Sequence, residues 1–221
     1  DTDRSRGLGD VYKRQVLGIL FTSLFMMAVN PIMGVINTAI SGALNGLSGT
    51  SIVLLGIICA GMQATDMGGP INKAAYVFGT AALAEQTLQG NMIMAAVMAG
   101  GMVPPLVIAL STTFFKNRWT EADRKAGLVN YIMGLSFITE GAIPFAAADP
   151  LRVLPACILG SATAGGLSML FGCASPAPHG GAWVIAVITN PVQYLLALAI
   201  GAVVGCLVLS FLKKPLDKAT E

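Results

Sequence analysis

From Val153 to Leu212 the chain runs without an aspartate, glutamate, lysine or arginine. A helix crossing the hydrocarbon core of a bilayer needs about 20 mostly apolar residues at about 1.5 Å rise each. This stretch has room for several crossings, and its only ionisable side chains are His179, Tyr194 and three cysteines. Residues 16–47, 48–65, 86–115 and 126–139 are equally free of charge, while 1–14, 116–125 and 213–221 hold most of the 13 basic and 11 acidic residues. Only 11% of residues are charged, against about a quarter in ordinary soluble domains. A disordered chain, a nucleic-acid binder and a soluble enzyme are poor fits. A net charge of +2 is too small to imply an anionic partner. A β-barrel would alternate in polarity over short segments, which this sequence does not. The pattern predicts an all-α polytopic membrane protein.

Its helices are not expected to be intact. Asn30-Pro31, Pro104-Pro105, Gly165-Gly166 and Asn190-Pro191 interrupt apolar runs, and each proline removes a backbone donor. Close helix packing is an alternative use for the glycine pairs. Broken helices and re-entrant hairpins account better for the Asn-Pro steps. Val16–Val29, Ser51–Ala60 and Leu195–Leu212 read as continuous apolar helix, and Gly79–Gln89 as a partly polar, interfacial stretch.

Basic residues set the expected orientation. Lys116, Arg118, Arg124 and Lys125 share one loop, and Lys213, Lys214 and Lys218 the C-terminal tail, so the positive-inside rule places loop 116–125 and the C-terminus in the cytoplasm. An even number of crossings must then separate them. Three candidates, 127–148, 153–172 and 183–212, fall between, so one must enter and leave on the same side. The segment 127–148, broken by Thr139-Glu140-Gly141 and Pro144, is the expected re-entrant element. Residues 1–15 are highly charged and without amphipathic period, and are read as a foreign or disordered lead; 16–212 form the membrane domain and 213–221 a tail. The four cysteines show no CxxC or Cys/His ligand spacing, so no metal is expected and buried packing is their reading.

The informative residues are the polar ones left among apolar neighbours, where a charge costs about 2.5–3.5 kcal/mol on insertion scales. They form three clusters. Gln63-Ala-Thr65-Asp66-Met-Gly68-Gly69-Pro70-Ile-Asn72-Lys73 either lines a polar path or closes a turn through an Asp66–Lys73 ion pair. Phe137-Ile-Thr139-Glu140-Gly141-Ala-Ile-Pro144-Phe145 holds Glu140 on a turn, with no cation nearby in sequence. A carboxylate so placed binds hydroxyls, carries a proton or pairs with an unseen partner. Asp149 and Arg152, three apart, read as a local pair at a helix start. Cys173-Ala-Ser175-Pro176-Ala-Pro178-His179-Gly180-Gly181 sets the sole histidine on a glycine turn, where it is either solvated or turned to a cavity.

The stretch Met133–Phe145 resembles the carboxylate-bearing hairpin motif of phosphotransferase-system sugar permeases. Asp66-Met-Gly-Gly-Pro70-Ile-Asn72-Lys73-Ala-Ala-Tyr76 and Pro176-Ala-Pro178-His179-Gly180-Gly181 resemble the fructose-specific branch of its membrane component, EIIC. The resemblance runs from about Pro31 to Leu212. It implies a dimeric inner-membrane permease, with early helices of the full domain missing, that carries fructose inward by an elevator-like movement. A separate EIIB phosphocysteine, charged through EIIA and HPr, would phosphorylate the sugar at O1, and no cofactor is implied. The motif glutamate, here Glu140, would bind sugar hydroxyls and could serve as a general base. Thr139, Gly141, His179, Asn72 and Asp66 complete the expected site, and the basic loop 116–125 could dock EIIB. A proton-coupled secondary transporter of a polar solute is the competing expectation.

Overall fold

The computed structural model describes residues 12–28 and 52–215, with positions 30–31, 34–35 and 38 between them. Two compact units are formed, residues 1–42 and 43–221. In the first, residues 12–28 are helix α1, whose apolar side chains, such as Phe21 and Phe25, are exposed. The lead at 1–11 lies outside the described residues, but residues 12–15 already belong to α1.

The second unit is built from α2 (Ile52–Thr65), α3 (Pro70–Ala84), α4 (Leu88–Phe114), α5 (Glu121–Leu135), α6 (Ile143–Ala148), α7 (Pro150–Leu170) and α8 (Pro191–Leu212). Short 3-10 turns cover Lys116–Arg118, Thr139–Ala142 and Gly181–Val187. Among the described residues three helices, α4, α7 and α8, are long and apolar enough to cross a membrane. Small residues let them approach closely: a side chain on Gly201 would strike Gly160 O and Ala164, and one on Gly165 would strike Gly56 O and Ala60. Gly165-Gly166 therefore serves packing within α7 rather than a break. Along α8, Val192, Leu195, Leu196, Val203, Leu207 and Phe211 are exposed, while Tyr194, Ala197, Gly201 and Leu209 are buried, as a helix with one lipid-facing side requires.

The expected break at Pro104-Pro105 does not occur, for α4 passes through both prolines. The prolines cannot donate to the carbonyls of Gly100 and Gly101, four residues earlier. Both carbonyls are satisfied from elsewhere. Ser161 of α7 donates its hydroxyl to Gly100 O at 2.7 Å, and Thr139 donates to Gly101 O at 2.8 Å. The helix survives because neighbouring hydroxyls replace the missing donors.

One end of this unit gathers the basic loop and the end of α8. Arg118 donates to Lys213 O, and Lys213 Nζ lies 3.3 Å from Asp149 and 4.4 Å from the Trp119 ring centroid. Asp149 also pairs with Arg152 at 3.0 Å, as its spacing suggests. Loop 116–119 and Lys213 thus share one face. Between them lie two helices of spanning length and a broken segment.

That broken segment enters and leaves at the basic end. Descending α5 sets Gly127 against Thr112, Tyr131 against Thr113 and Gly134 against Leu106. The chain turns at 136–142, where Thr139 reaches Gly101, the central residue of α4. Then α6 returns, stacking Phe145 on Trp119 at 5.7 Å. Two further hairpins come from the opposite end. In the first, α2 packs Gly56 on Met169 and Ala60 on Gly100, turns at 66–69, and α3 returns to place Ala82 O against Gly90. At 14 residues, α2 is about 21 Å long, short of the roughly 30 Å hydrocarbon core. In the second, Ser175 N–H donates to Asn91 O, Gly181 N–H to Met98 Sδ, and the chain returns through the Ala174–Thr189 bridge.

Candidate functional site

The three hairpin tips correspond to the three polar clusters of the sequence, and they meet around one cavity. Its volume is about 330 Å³, and it is lined by Gln63, Asn72, Lys73, Tyr76, Phe137, Thr139, Glu140 and His179. Each side chain is held by its own local chemistry.

Gln63 and Asn72, at the end of α2 and the start of α3, are buried and lock the first tip. Asn72 Nδ2 donates to Gln63 O at 2.7 Å, and Gln63 Nε2 donates to Asn72 O at 3.1 Å. Among the described residues neither amide oxygen accepts a hydrogen bond, so both acceptors remain for the cavity. Asp66 does not line it. Its carboxylate oxygens accept from Ile71 N–H at 2.7 Å and Asn72 N–H at 2.8 Å, taking up the first free amides of α3 behind Pro70. Asp66 supports the tip from behind, and Lys73 is turned elsewhere: its Nζ lies 3.6 Å from Glu140 Oε1. The expected alternative of an Asp66–Lys73 pair gives way to this contact between two hairpins, which supplies Glu140 with a partner distant in sequence.

Glu140 sits in the 3-10 turn Thr139–Ala142, and nearly half of its side chain is exposed. Gly141 makes the turn possible without lining the cavity, because a side chain there would strike Asn130 Oδ1 and Met133 Sδ. Thr139 lines the cavity, but its hydroxyl is spent on Gly101 O. Just before it, α5 ends with Ile138 N–H donating to Met133 O at 2.9 Å and Phe137 at φ +59°. That is the left-handed helix stop usually given to glycine, which costs a bulky residue roughly 1–3 kcal/mol. The strain directs the Phe137 ring over Gly101, where a Cβ would strike it.

His179 completes the wall from the third tip. Its ring centroid is 4.8 Å from that of Phe137 and 6.4 Å, edge-on, from Tyr76, while Tyr76 and Phe137 are 6.1 Å apart. Three rings from three hairpins thus form one aromatic cluster in the cavity wall. Gly181, at φ +59°, presses onto Leu135 O and the Phe137 amide, and Trp183 donates to Ser136 Oγ at 2.9 Å. Of the expected residues, Glu140, Thr139, His179 and Asn72 meet here, whereas Asp66 and Gly141 stand behind. Gln63, Lys73, Tyr76 and Phe137 are the additions; all four lay within the quoted motifs. The cysteines Cys59, Cys157, Cys173 and Cys206 are all buried and free, and none lines the cavity.

A membrane unit whose half-depth hairpins enclose a polar, aromatic-walled cavity has the architecture of a solute carrier. The sequence matches the family described as Phosphotransferase system, EIIC over residues 8–160, and the chain belongs to that family. It is 48% identical to the fructose permease IIC component of Bacillus amyloliquefaciens, over 96% of this chain and 69% of that protein. It is also 48% identical to the PTS system fructose-specific EIIABC component of Bacillus subtilis, over 96% of this chain and 33% of that protein. Identity to the Escherichia coli PTS system fructose-specific EIIB'BC component is 47%, over 81% of this chain and 33% of that protein. The chain thus spans about a third of the length of the multi-component relatives. No solved structure matches it.

Proposed function

We propose that this chain is the sugar-translocating part of a phosphotransferase-system permease, and that the cavity binds fructose. A partner EIIB phosphocysteine, supplied through EIIA and HPr, then phosphorylates the sugar at O1 to fructose 1-phosphate. The observation that carries this reading is the convergence of the three polar clusters on a single cavity. Its volume falls in the range of small-molecule sites, roughly 300–1,000 Å³. A hexose presents hydroxyls around its edge and C–H groups on its faces. Glu140 and the free amide oxygens of Gln63 and Asn72 accept from hydroxyls, Lys73 and His179 donate, and the Phe137–Tyr76–His179 wall packs against C–H groups. Glu140 would also take the O1 proton when that oxygen lies within hydrogen-bond reach.

The protein works as a homodimer in the bacterial plasma membrane, with loop 116–125 and the C-terminus cytoplasmic. The shared face of Lys213 and loop 116–119 supports their lying on one side, and the basic residues favour the inside. The fructose-specific names of the relatives support the substrate. Uptake by vesicles carrying the complete permease tests the proposal. It requires phosphorylated EIIB and yields only sugar phosphate inside. Uptake of unmodified fructose that a protonophore abolishes would overturn it in favour of proton coupling.

A further inference from the structure

Resting on that sugar-binding reading, we infer that Lys73 is the residue that recognises the phosphate group of the sugar phosphate formed in the cavity. A hexose is neutral, but its phosphate monoester carries close to two negative charges at neutral pH. Glu140 would repel that dianion, and among the described lining residues Lys73 holds the only ammonium. A helix start often receives phosphate through its first amides, yet in α3 those amides are already taken by Asp66. The task falls to the side chain one residue further on.

Lys73 is placed for it. Its contact with Glu140, at 3.6 Å, is longer than the 2.7–2.9 Å of a tight charge-assisted hydrogen bond. Its side chain is 59% exposed, and an ammonium carries three N–H donors that can turn to a ligand. With neutral sugar bound, the ammonium stays beside Glu140 and both groups share the hydroxyls. With phosphate bound, the ammonium turns to the stronger charge, and the link between the α2–α3 tip and the 139–142 tip is lost. The formation of product thus loosens the two hairpins that hold it.

Competition binding on the purified complete permease chain tests this, with radiolabelled fructose displaced by unlabelled fructose or fructose 1-phosphate. Lys73→Gln is expected to weaken fructose 1-phosphate binding at least about tenfold more than it weakens fructose binding, and Lys73→Arg to keep both. Equal weakening of both ligands overturns the inference, as does an unchanged affinity for the phosphate, or a wild type that binds fructose but not fructose 1-phosphate. A wild type that does not bind fructose removes the sugar-binding reading itself, and this inference with it.

Discussion

Thr139 gives its hydroxyl to the carbonyl oxygen of Gly101 at 2.8 Å, the carbonyl that Pro105 leaves without a donor. The residue before the cavity carboxylate is therefore an anchor that fixes the depth of its hairpin against the centre of α4. Thr139→Val keeps the shape and removes the bond, leaving a buried carbonyl unpaired at a cost of roughly 1–3 kcal/mol. The variant is expected to melt earlier and to bind sugar less well, while Thr139→Ser stays close to wild type. In a Pro105→Ala background, where α4 regains its own donor, Thr139→Val is expected to cost less. Thermal unfolding of wild type and these four variants checks this, and strictly additive effects of Pro105→Ala and Thr139→Val would contradict it.

The third hairpin tip depends on Gly181, whose φ of +59° and closeness to Leu135 O leave no room for a side chain. Gly181→Ala is expected to push His179 off Phe137. Overpacking of this kind costs roughly 1–3 kcal/mol. Sugar binding should fall more than membrane insertion does, as measured on the same preparation. Unchanged binding would remove the His179 wall from the site.

At the basic end, burial alone would raise the pKa of Asp149, but the hydrogen bonds and charges of Arg152 and Lys213 outweigh it and hold the carboxyl below the usual range. A carboxyl whose folded pKa is depressed stabilises the protein above its unfolded value, about 4. That contribution disappears as pH falls through the folded value. Wild type should therefore unfold at a higher temperature than Asp149→Asn near neutral pH, with the gap closing below pH about 4. A gap that persists unchanged into acid would contradict this cluster as the clasp between α7 and α8.

Much of this was legible in the sequence, because membrane-spanning helices and misplaced polar residues are both composition signals. Glu140, Asn72 and His179 stood out by being costly in an apolar chain, and cost is visible without coordinates. The role of Asp66 was not visible: a carboxylate that ends up capping backbone amides looks the same in sequence as one that faces a ligand. Pro104-Pro105 suggested a break because a proline's effect is local, whereas the hydroxyls that repair it lie in Thr139 and Ser161, far along the chain. Phe137 and Tyr76 were hidden for the opposite reason. An aromatic residue in a hydrophobic sequence gives no sign that it lines a cavity until the strained turn at Phe137 aims it there.

The central claim is that the Glu140 carboxylate grips sugar hydroxyls where the three hairpins meet. Equilibrium binding of radiolabelled fructose to membranes carrying the complete domain tests it most directly, comparing wild type with Glu140→Gln at equal insertion. Loss of a charged acceptor to hydroxyls is worth roughly 1.5–3 kcal/mol, so specific binding should fall by about tenfold or more. Binding that survives the substitution undiminished would place the sugar elsewhere.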